Sequence, residues 1–184
     1  MTDLIIETER LILRPMKIED VDDLLEYQSN PEIVRYIPWP PRTIEQVKEA
    51  AEKTTATGKF KLVESNDYLV LVWELKGTGK VIGQSNMALV SKENKRANIG
   101  WVTHQNFQRQ GYAFEATKAL LKYAFQNFDL HRVIADIDTR VPKSAALAEK
   151  LGMRREATFL DGEFFKGEWC DIWLYAILKS EFSA

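Results

Sequence analysis

The pattern of apolar and polar positions divides the chain into short strands and amphipathic helices. Runs rich in β-branched and aromatic residues, bounded by turn residues, predict seven β-strands. These strands cover residues 8–14, 68–75, 80–90, 96–103, 131–138, 154–160 and 170–178. The Lys-Gly-Thr-Gly sequence at 76–79 is typical of a hairpin turn. The first half of the sheet is therefore expected to be antiparallel.

Four other segments place apolar residues at helical spacing. They are residues 18–27, a helix that begins at 43, residues 114–125 and residues 142–151. In the first, Ile18, Val21, Leu24 and Leu25 share one face. The second opens with the capping-box sequence Thr-Ile-Glu-Gln, and we expect it to end at Gly58.

The order of these elements predicts one α+β domain over residues 1–184. The third helix lies between two β-rich runs, so the strand at 131–138 is expected to pair in parallel with the strand at 96–103. No linker rich in Pro, Gly or Ser and no internal repeat interrupts this order. The sheet is therefore expected to be mixed and mostly antiparallel.

The stretch from Gln108 to Ala113 joins the strand at 96–103 to the third helix. The N–H groups of a first helical turn lack partners within the helix, and the helix dipole favours an anion there. Gly111 would let a ligand approach the backbone closely, and Arg109 adds a positive charge. The stretch could therefore hold a phosphate or pyrophosphate. On this stretch alone, an ordinary connection with a surface arginine is the simpler interpretation.

Composition narrows the classes of function. Of 184 residues, 45% are hydrophobic and 28% charged, and 25 basic against 27 acidic side chains give a net charge of -2. The sequence has no basic stripe, so we expect no nucleic-acid partner. Cys170 is a single cysteine, which excludes an internal disulfide and a cysteine-rich metal site. The acidic N-terminus and the absence of a long apolar run predict a cytoplasmic protein with no membrane partner.

Four sequence pieces, in this order and spacing, give the chain its family resemblance. They are residues 7–15, residues 97–101 together with 108–113, residues 144–153 and residues 167–178. The chain resembles the GNAT superfamily of acyl-CoA-dependent N-acetyltransferases, and within it the RimJ/RimL-type branch that acetylates the N-termini of ribosomal proteins. Gln108-Arg109-Gln110-Gly111-Tyr112-Ala113 is similar to the GNAT pattern [QR]-x-x-G-x-[GA].

The resemblance implies a fold, a co-substrate and a reaction. The fold is a mostly antiparallel sheet of about seven strands, splayed after the fourth and flanked by helices on both faces. The co-substrate is acetyl-CoA, with no metal. The acceptor amine attacks the thioester directly, so the enzyme holds both reactants together and stabilises the developing charge.

The resemblance also assigns the coenzyme A contacts residue by residue. The pyrophosphate would lie on Gln108, Arg109, Gln110, Gly111, Tyr112 and Ala113. The pantetheine would bond to the main chain of Val102 and Thr103 in the splay. The N–H of Val102 is the candidate donor that polarises the thioester carbonyl.

The sequence departs from the family pattern at three positions. Asn98 stands where many relatives have a carboxylate base, and an amide cannot take a proton at neutral pH. Ala148 stands where other relatives have a tyrosine that serves as the general acid for the leaving thiolate. Val141 stands where an asparagine is usual. Rim-type enzymes use a serine at the position of Ser144, which is the predicted proton donor to the thiolate and a coenzyme A contact. Its alternative role is to sit at the start of a helix.

The general base therefore stays open. His104 follows the strand at 96–103 and titrates in the useful range, although a loop histidine is the commoner interpretation. His131 begins a strand and is more simply structural. Asp136 and Asp138 share one face of their strand, and either could reach the cleft, although solvent or ion-pair roles are commoner. Asp171 lies in an otherwise apolar strand, which favours a catalytic or acceptor-site role.

The acceptor site is implied at two aromatic segments, the loop at 36–40 and the hairpin at 161–169. Acids beside aromatic rings suit a cationic amine, whether a small molecule or a peptide N-terminus. The candidate substrate-binding residues are Trp39, Asn98, Glu168 and Asp171. Core packing and a solvated turn are the alternative roles of these residues. The aromatic hairpin also favours a possible homodimer.

Two other classes of function stay open. A non-catalytic module that binds or senses acyl-CoA would tolerate Asn98 and Ala148. A nucleotide-binding fold has less support, because both G-x-x-x-x-G-K-[ST] and G-x-G-x-x-G are absent.

Overall fold

The computed structural model describes residues 4–57 and 61–183. In chain order the strands are β1 Ile6–Glu7, β2 Leu11–Arg14, β3 Tyr68–Leu75, β4 Val81–Ser91, β5 Arg96–Thr103, β6 Arg132–Asp138, β7 Arg154–Phe165 and β8 Glu168–Leu178. The helices are α1 Val21–Gln28, α2 Pro31–Val34, α3 Ile44–Thr57, α4 Tyr112–Asn127 and α5 Pro142–Lys150. Short 3-10 turns, Ile18–Asp20 and Gln105–Phe107, precede α1 and the turn into α4. None of the helices in these ranges is long and apolar enough to cross a membrane.

All strands form one sheet, in the order β1-β2-β3-β4-β5-β6-β8-β7. Every pair is antiparallel except β5 with β6, which confirms the mixed, mostly antiparallel sheet. Each of the seven predicted strands is present. The eighth is the two-residue β1, which folds back so that Ile6 pairs with Leu13.

The helices lie on both faces of the sheet, because its two faces bury separate apolar clusters. Leu71 and Trp73 of β3 pack with α4 and α5 on one face, while the intervening Val72 packs with α1 and α3 on the other. Alternate side chains of a strand point to opposite faces, so β3 supplies both clusters. The capping box of α3 is formed by Thr43 and Gln46, with bonds of 2.9 and 3.4 Å. The end predicted for this helix, Gly58, lies outside the described residues.

The sheet opens between β5 and β6. These strands pair only at Arg96 with Arg132, Ala97 with Val133 and Asn98 with Ile134. Beyond that point β5 continues to Thr103 and β6 to Asp138 without pairing to each other. Because β5 is the fourth of the seven predicted strands, the opening lies where the resemblance implies the splay.

The last two strands are longer than predicted. The sequence predicts a turn over 161–169, but β7 runs to Phe165, β8 starts at Glu168, and only Lys166 and Gly167 turn the chain. Phe164 pairs with Trp169 across the hairpin, with their ring centroids 5.4 Å apart. Cross-strand aromatic pairs stabilise a hairpin, and this pair explains why the strands continue. A bulge between Phe159 and Glu163 takes up the glycine and acids that suggested a loop.

Candidate active site

The turn between β5 and α4 presents free backbone N–H groups. Gly111 precedes the helix with a φ of +85°, and Arg109 has a φ of +61°. Glycine adopts this left-handed region readily, whereas a side chain disfavours it. The first helical bond runs from the Glu115 N–H to the Gly111 carbonyl, at 3.0 Å. The N–H groups of residues 112–114 therefore have no partner within the helix, which leaves them available to an anion.

The two glutamines of this turn hold the loop in place. The Gln108 side-chain amide donates to the Thr103 carbonyl at 3.3 Å, and that of Gln110 donates to the Asn106 carbonyl at 2.9 Å. These bonds connect the turn to the end of β5 and to the 3-10 turn that follows it. We therefore infer that these side chains stabilise the backbone conformation of the turn.

Arg10 is a component of the turn that the sequence did not reveal. Its Nη1 donates to the Gln110 carbonyl at 3.0 Å, and its guanidinium lies 4.3 Å from the centre of the Tyr112 ring. Its Nε forms an ion pair of 2.6 Å with Glu115. Burial opposes ionisation of Glu115, but hydrogen bonds from Thr8 and Arg10 lower its pKa overall. The segment between β1 and β2 thus brings a fixed cation beside the N–H groups of this turn.

A basic groove continues from this turn along the outer side of α4. Its volume is about 480 Å³. It is lined by Thr8, Glu9, Arg10, Gly111, Phe114, Glu115, Lys118, Ala119, Lys122 and Lys150. Within the described ranges, no acidic side chain pairs with Lys118, Lys122 or Lys150. Lys150 lies over the Phe114 ring, 4.6 Å from its centre. The groove can therefore hold further negative charge next to the turn.

The open edge of β5 corrects the role predicted for Val102. The His104 N–H donates to the Ile82 carbonyl at 2.9 Å, so these opposite residues form a hydrogen-bonded pair. Antiparallel pairs alternate in this respect, so Val102 directs its N–H to Gln84 of β4. The N–H groups of Trp101 and Thr103 point the other way, into the gap. These two residues can bond to an extended ligand, whereas Val102 cannot supply the predicted donor.

A second cavity lies on the other face of the sheet, at the point where β5 and β6 part. Its volume is about 280 Å³. It is lined by Tyr36, Pro38, Asn98, Asp136, Asp138, Glu163, Phe165, Cys170 and Ile172. Three carboxylates thus share a small space with two aromatic rings. This arrangement favours a cation, through both charge and ring contacts.

Asp136 and Asn98 face each other across the gap in this cavity. The Asn98 Nδ2 donates to Asp136 Oδ2 at 2.6 Å. Asp136 is open to solvent within the cavity, yet protein surrounds it closely enough that desolvation raises its pKa. The pKa of Glu163 is also raised, first by burial and then by the negative charges of Asp136 and Asp138. These two carboxyls therefore hold protons more readily than ordinary ones.

Arg140 neutralises the third carboxylate and reaches Glu168. Its Nη2 lies 2.6 Å from Asp138 Oδ2, and its guanidinium also pairs with Glu168. Burial would raise the pKa of Asp138, but these hydrogen bonds lower it. Arg140 lies over the Tyr36 ring as well, at 5.1 Å. The predicted substrate residue Glu168 is therefore outside the cavity lining and bound to its rim.

Asp171 does not reach the cavity, contrary to the prediction from the sequence. Cys170 and Ile172 line the cavity, and the side chain between them in the strand points to the opposite face. Asp171 Oδ1 accepts the N–H of Asp161 at 2.8 Å, at the bulge of β7. The apolar run signalled a carboxylate that needs a partner, and that partner is backbone.

Trp39 also lies outside the cavity lining, which takes Tyr36 and Pro38 from the same loop. The Trp39 ring packs under Arg42, 4.6 Å from the guanidinium. Its carbonyl accepts a bond of 3.0 Å from Nζ of Lys166, which also donates to the Val34 carbonyl at 2.7 Å. The tip of the β7–β8 hairpin is thereby tied to the loop after α2. This tie joins the two segments that supply Tyr36, Pro38 and Phe165 to the cavity lining.

The histidines have structural roles or lie at the surface. His104 is fully buried; its Nε2 is 2.8 Å from Glu26, and its Nδ1 accepts the Asn106 N–H at 3.1 Å. Both ring nitrogens are therefore engaged away from the cavity. His131 is exposed just before β6, at the opposite end of that strand from the gap.

Ser144 lies in the first turn of α5, which follows the end of β6. Parallel strands end at the same edge of a sheet, so this turn and the Gly111 turn lie at the same end of the gap between β5 and β6. Ser144 is half-buried, and its hydroxyl makes no hydrogen bond within residues 4–57 and 61–183. The hydroxyl is thus available, although no bond shows what it serves. In the same described ranges, no group of three His, Cys, Asp or Glu is arranged to hold a metal.

Comparison with known proteins agrees with this geometry. The model of the acetyltransferase (GNAT) domain matches residues 10–154. The uncharacterized N-acetyltransferase p20 of Bacillus licheniformis is 32% identical over 177 residues, covering 96% of this chain and 97% of that protein. A GNAT-family acetyltransferase structure from Bacillus anthracis is 31% identical, with a TM-score of 0.85 over 97% of this chain and 100% of that one.

One further relative supports the branch within the family. The [ribosomal protein uS5]-alanine N-acetyltransferase of Escherichia coli is 27% identical over 105 residues, covering 56% of this chain and 54% of that protein. Ribosomal-protein acetyltransferases are therefore among the homologues, as the RimJ/RimL-type resemblance implied. The chain belongs to the GNAT family of acetyltransferases and is an acetyl-CoA-dependent acyltransferase.

Proposed function

We propose that this chain acetylates the primary amine of a positively charged acceptor, which attacks acetyl-CoA directly in a ternary complex. The observation that carries the proposal is the parting of β5 and β6. In this proposal the gap connects the free N–H groups after Gly111 with the carboxylate cavity. We further propose that residues 1–184 form a single domain of this kind and that it acts in the cytoplasm.

The donor is proposed to extend from the turn into the gap. The pyrophosphate lies on the backbone N–H groups of residues 109–113, beside the guanidinium of Arg10. The rest of the nucleotide lies along the basic groove, next to Lys118 and Lys150. The pantetheine bonds to the open edge of β5 at Trp101 and Thr103. From Asn98 to Thr103 this edge measures about 17 Å, which suits an extended chain.

The acceptor is proposed to enter the cavity from the opposite face. Asp136, Asp138 and Glu163 supply negative charge, and Tyr36 and Phe165 supply rings. Among the residues that the structure describes, Asp138 is the one of these three that forms an ion pair, with Arg140. The cavity should therefore favour an amine that carries a second positive charge. A small diamine satisfies this, and so does a peptide N-terminus, which the name of the uS5-alanine relative suggests, when a basic residue follows it.

The proposal is tested by measuring free thiol released from acetyl-CoA with a panel of amines. The panel pairs a diamine with a monoamine of the same length, and an alanine peptide followed by lysine with one followed by glutamate. We expect release with several members, and a higher kcat/KM for the more positive member of each pair. No release with any member, while acetyl-CoA still binds, would refute the proposal.

Binding of acetyl-CoA without release of thiol would support the alternative of a non-catalytic acyl-CoA-binding module. Asn98 and Ala148 are the observations that keep this alternative open. A thermal-shift series with coenzyme A, ATP and NAD distinguishes the acetyltransferase and the non-catalytic module from a general nucleotide-binding protein. Stabilisation by coenzyme A alone is expected for the acetyltransferase and for the module.

A further inference from the structure

We propose that Asp136, held by Asn98 across the gap between β5 and β6, is the general base that takes a proton from the acceptor amine. The inference rests on the proposed acetyl transfer and adds the identity of the base. The position that the family resemblance assigns to a carboxylate is Asn98, which cannot accept that proton. The carboxylate is therefore on the neighbouring strand, in the same cavity.

The position of Asp136 is fixed by the sheet. It lies two residues beyond Ile134, the last β6 residue that pairs with β5, and therefore where the strands part. Asn98, Ile134 and Asp136 share one face, because side chains alternate along a strand. On its other side β6 stays paired, with Asp136 opposite Leu174 of β8. The backbone that carries the carboxylate is therefore rigid even though the gap beside it is open.

The bond from Asn98 orients the carboxylate. The amide donates to Oδ2, at 2.6 Å, and Oδ1 makes no hydrogen bond among the residues that the structure describes. One oxygen is thus anchored and the other can accept a proton. An amide is the residue type suited to this role, because a second carboxylate at that distance would compete for the proton.

The charged and titratable groups around Asp136 come from every element that packs against it. They are Arg96 of β5, Asp138 of the same strand, Glu163 of β7, Cys170 of β8 and Tyr36 of the loop after α2. Arg96 favours the ionised form of Asp136, and Asp138 is itself paired with Arg140. Desolvation is the largest influence, and it raises the pKa of Asp136 even though the hydrogen bond from Asn98 and the charge of Arg96 lower it. A carboxylate with a raised pKa is a better base near neutral pH.

The reaction balances with these groups. Asp136 takes one proton from the ammonium, R–NH3⁺, and leaves the neutral amine. The nitrogen lone pair then forms a bond to the thioester carbonyl carbon, and the C–S bond breaks with its electron pair on sulfur. The second proton of the attacking nitrogen passes to the thiolate. The products are the amide and free coenzyme A, and Asp136 returns its proton to solvent.

Asp136→Asn is the first test, with Glu163→Gln as the matched control. Both changes remove one negative charge from the same cavity at equal size. We expect Asp136→Asn to lower kcat about 100-fold or more at pH 7, with the KM for acetyl-CoA unchanged. We expect Glu163→Gln to raise the KM for the amine and to keep most of kcat. Coenzyme A binding by both variants confirms that they are folded.

The pH profile separates a base from a purely electrostatic residue. A base with a raised pKa is protonated as pH falls through that value, so wild-type kcat/KM should decline on the acid side and level off above it. In Asp136→Asn only neutral amine from solution can react. Its rate should then rise about tenfold per pH unit up to the pKa of the amine, near 8 for a peptide N-terminus and about 10.4 for a lysine-like amine.

Exchanging the two residues is the second test. The double variant Asn98→Asp with Asp136→Asn moves the carboxylate to the family position and keeps an amide beside it. We expect the kcat of the double variant to be at least tenfold higher than that of Asp136→Asn. Asn98→Asp alone places two carboxylates together, which should shift the acid limb of the profile to higher pH.

The outcomes distinguish this inference from the proposed function. If the wild type releases thiol but Asp136→Asn and Glu163→Gln both change only the KM for the amine, then Asp136 is not the base. An unchanged pH profile in Asp136→Asn would lead to the same conclusion. If the wild type releases no thiol with any amine, it is the proposed function that fails.

Discussion

Two glycines have nearly the same φ angle but different surroundings. Gly111 has a φ of +85° and Gly77, in the β3–β4 hairpin, a φ of +86°. A Cβ added at Gly111 would lie 3.2 Å from the Arg10 guanidinium, whereas none at Gly77 would meet an atom within 4 Å. The pair therefore separates backbone strain from effects on the site.

We expect Gly111→Asp to raise the KM for acetyl-CoA at least tenfold, because it places a negative charge at the proposed pyrophosphate seat. Gly77→Asp should leave that KM unchanged. Both variants should lose similar stability, about 1–2 kcal/mol, from the left-handed conformation. Steady-state kinetics and thermal unfolding measure the two effects. Equal KM values in two folded variants would contradict the placement of the donor.

Ser144 provides the second residue-scale prediction. If its hydroxyl protonates the departing thiolate, then Ser144→Ala should lower kcat about 100-fold, at the low end of acid catalysis, with little change in coenzyme A binding. Ser144→Thr, which keeps a hydroxyl, should retain more activity. A lower melting temperature with kcat unchanged would instead assign Ser144 to the start of α5.

The residues differ in how readily the sequence reveals them. Gly111 could be predicted because its pattern is local, lying between a strand and a helix. Arg10 could not, because its partner Glu115 is 105 residues away. Asp136 and Asp171 look alike in the sequence, since each is an acid in an apolar strand. Only the pairing of the strands shows which of the two faces the cavity.

The β7–β8 hairpin and the loop after α2 act together through Lys166. This lysine has a φ of +50° at the hairpin tip and donates to the carbonyls of Val34 and Trp39. Lys95 is a matched residue, because it has a φ of +47° in the turn before β5 and pairs with Asp129. Lys166 joins two segments that line the carboxylate cavity, whereas Lys95 and Asp129 lie outside its lining.

We expect Lys166→Met to raise the KM for the amine severalfold and to leave the KM for acetyl-CoA unchanged, because it frees the loop that carries Tyr36 and Pro38. Lys95→Met should change neither KM. Hydrogen exchange in residues 36–40 should become faster only in Lys166→Met. If the amine KM and the exchange rate both stay at wild-type values, the tie does not shape the cavity.

Element boundaries were predictable wherever one periodicity dominated. The strands of the first hairpin and helix α4 fall where their patterns place them. The boundaries predicted for the hairpin at 161–169 differ from the observed ones. Glycine and acids suggested a loop there, but the Phe164–Trp169 pair keeps the strands together. The direction of a backbone N–H, which decides against Val102, depends on register and cannot be read from a single strand.

The edge strand β7 is largely exposed to solvent. Nearly all of its side chains are exposed, and Leu160 and Phe164 are 77% and 63% exposed. Its outer edge pairs with no strand among the described residues. A second copy could pair with this edge across a two-fold axis and continue the sheet. We propose that the protein forms such a dimer.

The dimer predicts that Leu160→Lys shifts the protein towards monomer at concentrations where the wild type is dimeric. Val63→Lys is the control, because Val63 is another apolar residue that is 54% exposed but lies outside β7. Sedimentation velocity measures the mass of each. A monomeric wild type, or equal masses for both variants, would contradict this interface.

In the proposed ternary complex, the parting of β5 and β6 also determines how the two reactants reach each other. The basic groove runs along α4, whereas the carboxylate cavity lies on the opposite face of the sheet, where β5 and β6 part. In the proposed complex the two reactants meet at this gap. Neither reactant then obstructs the route of the other, and no residue needs to carry the acetyl group between them. Double-reciprocal plots should therefore intersect instead of running parallel. Free coenzyme A should inhibit competitively against acetyl-CoA but not against the amine, whereas parallel lines would require an acetylated form of the enzyme.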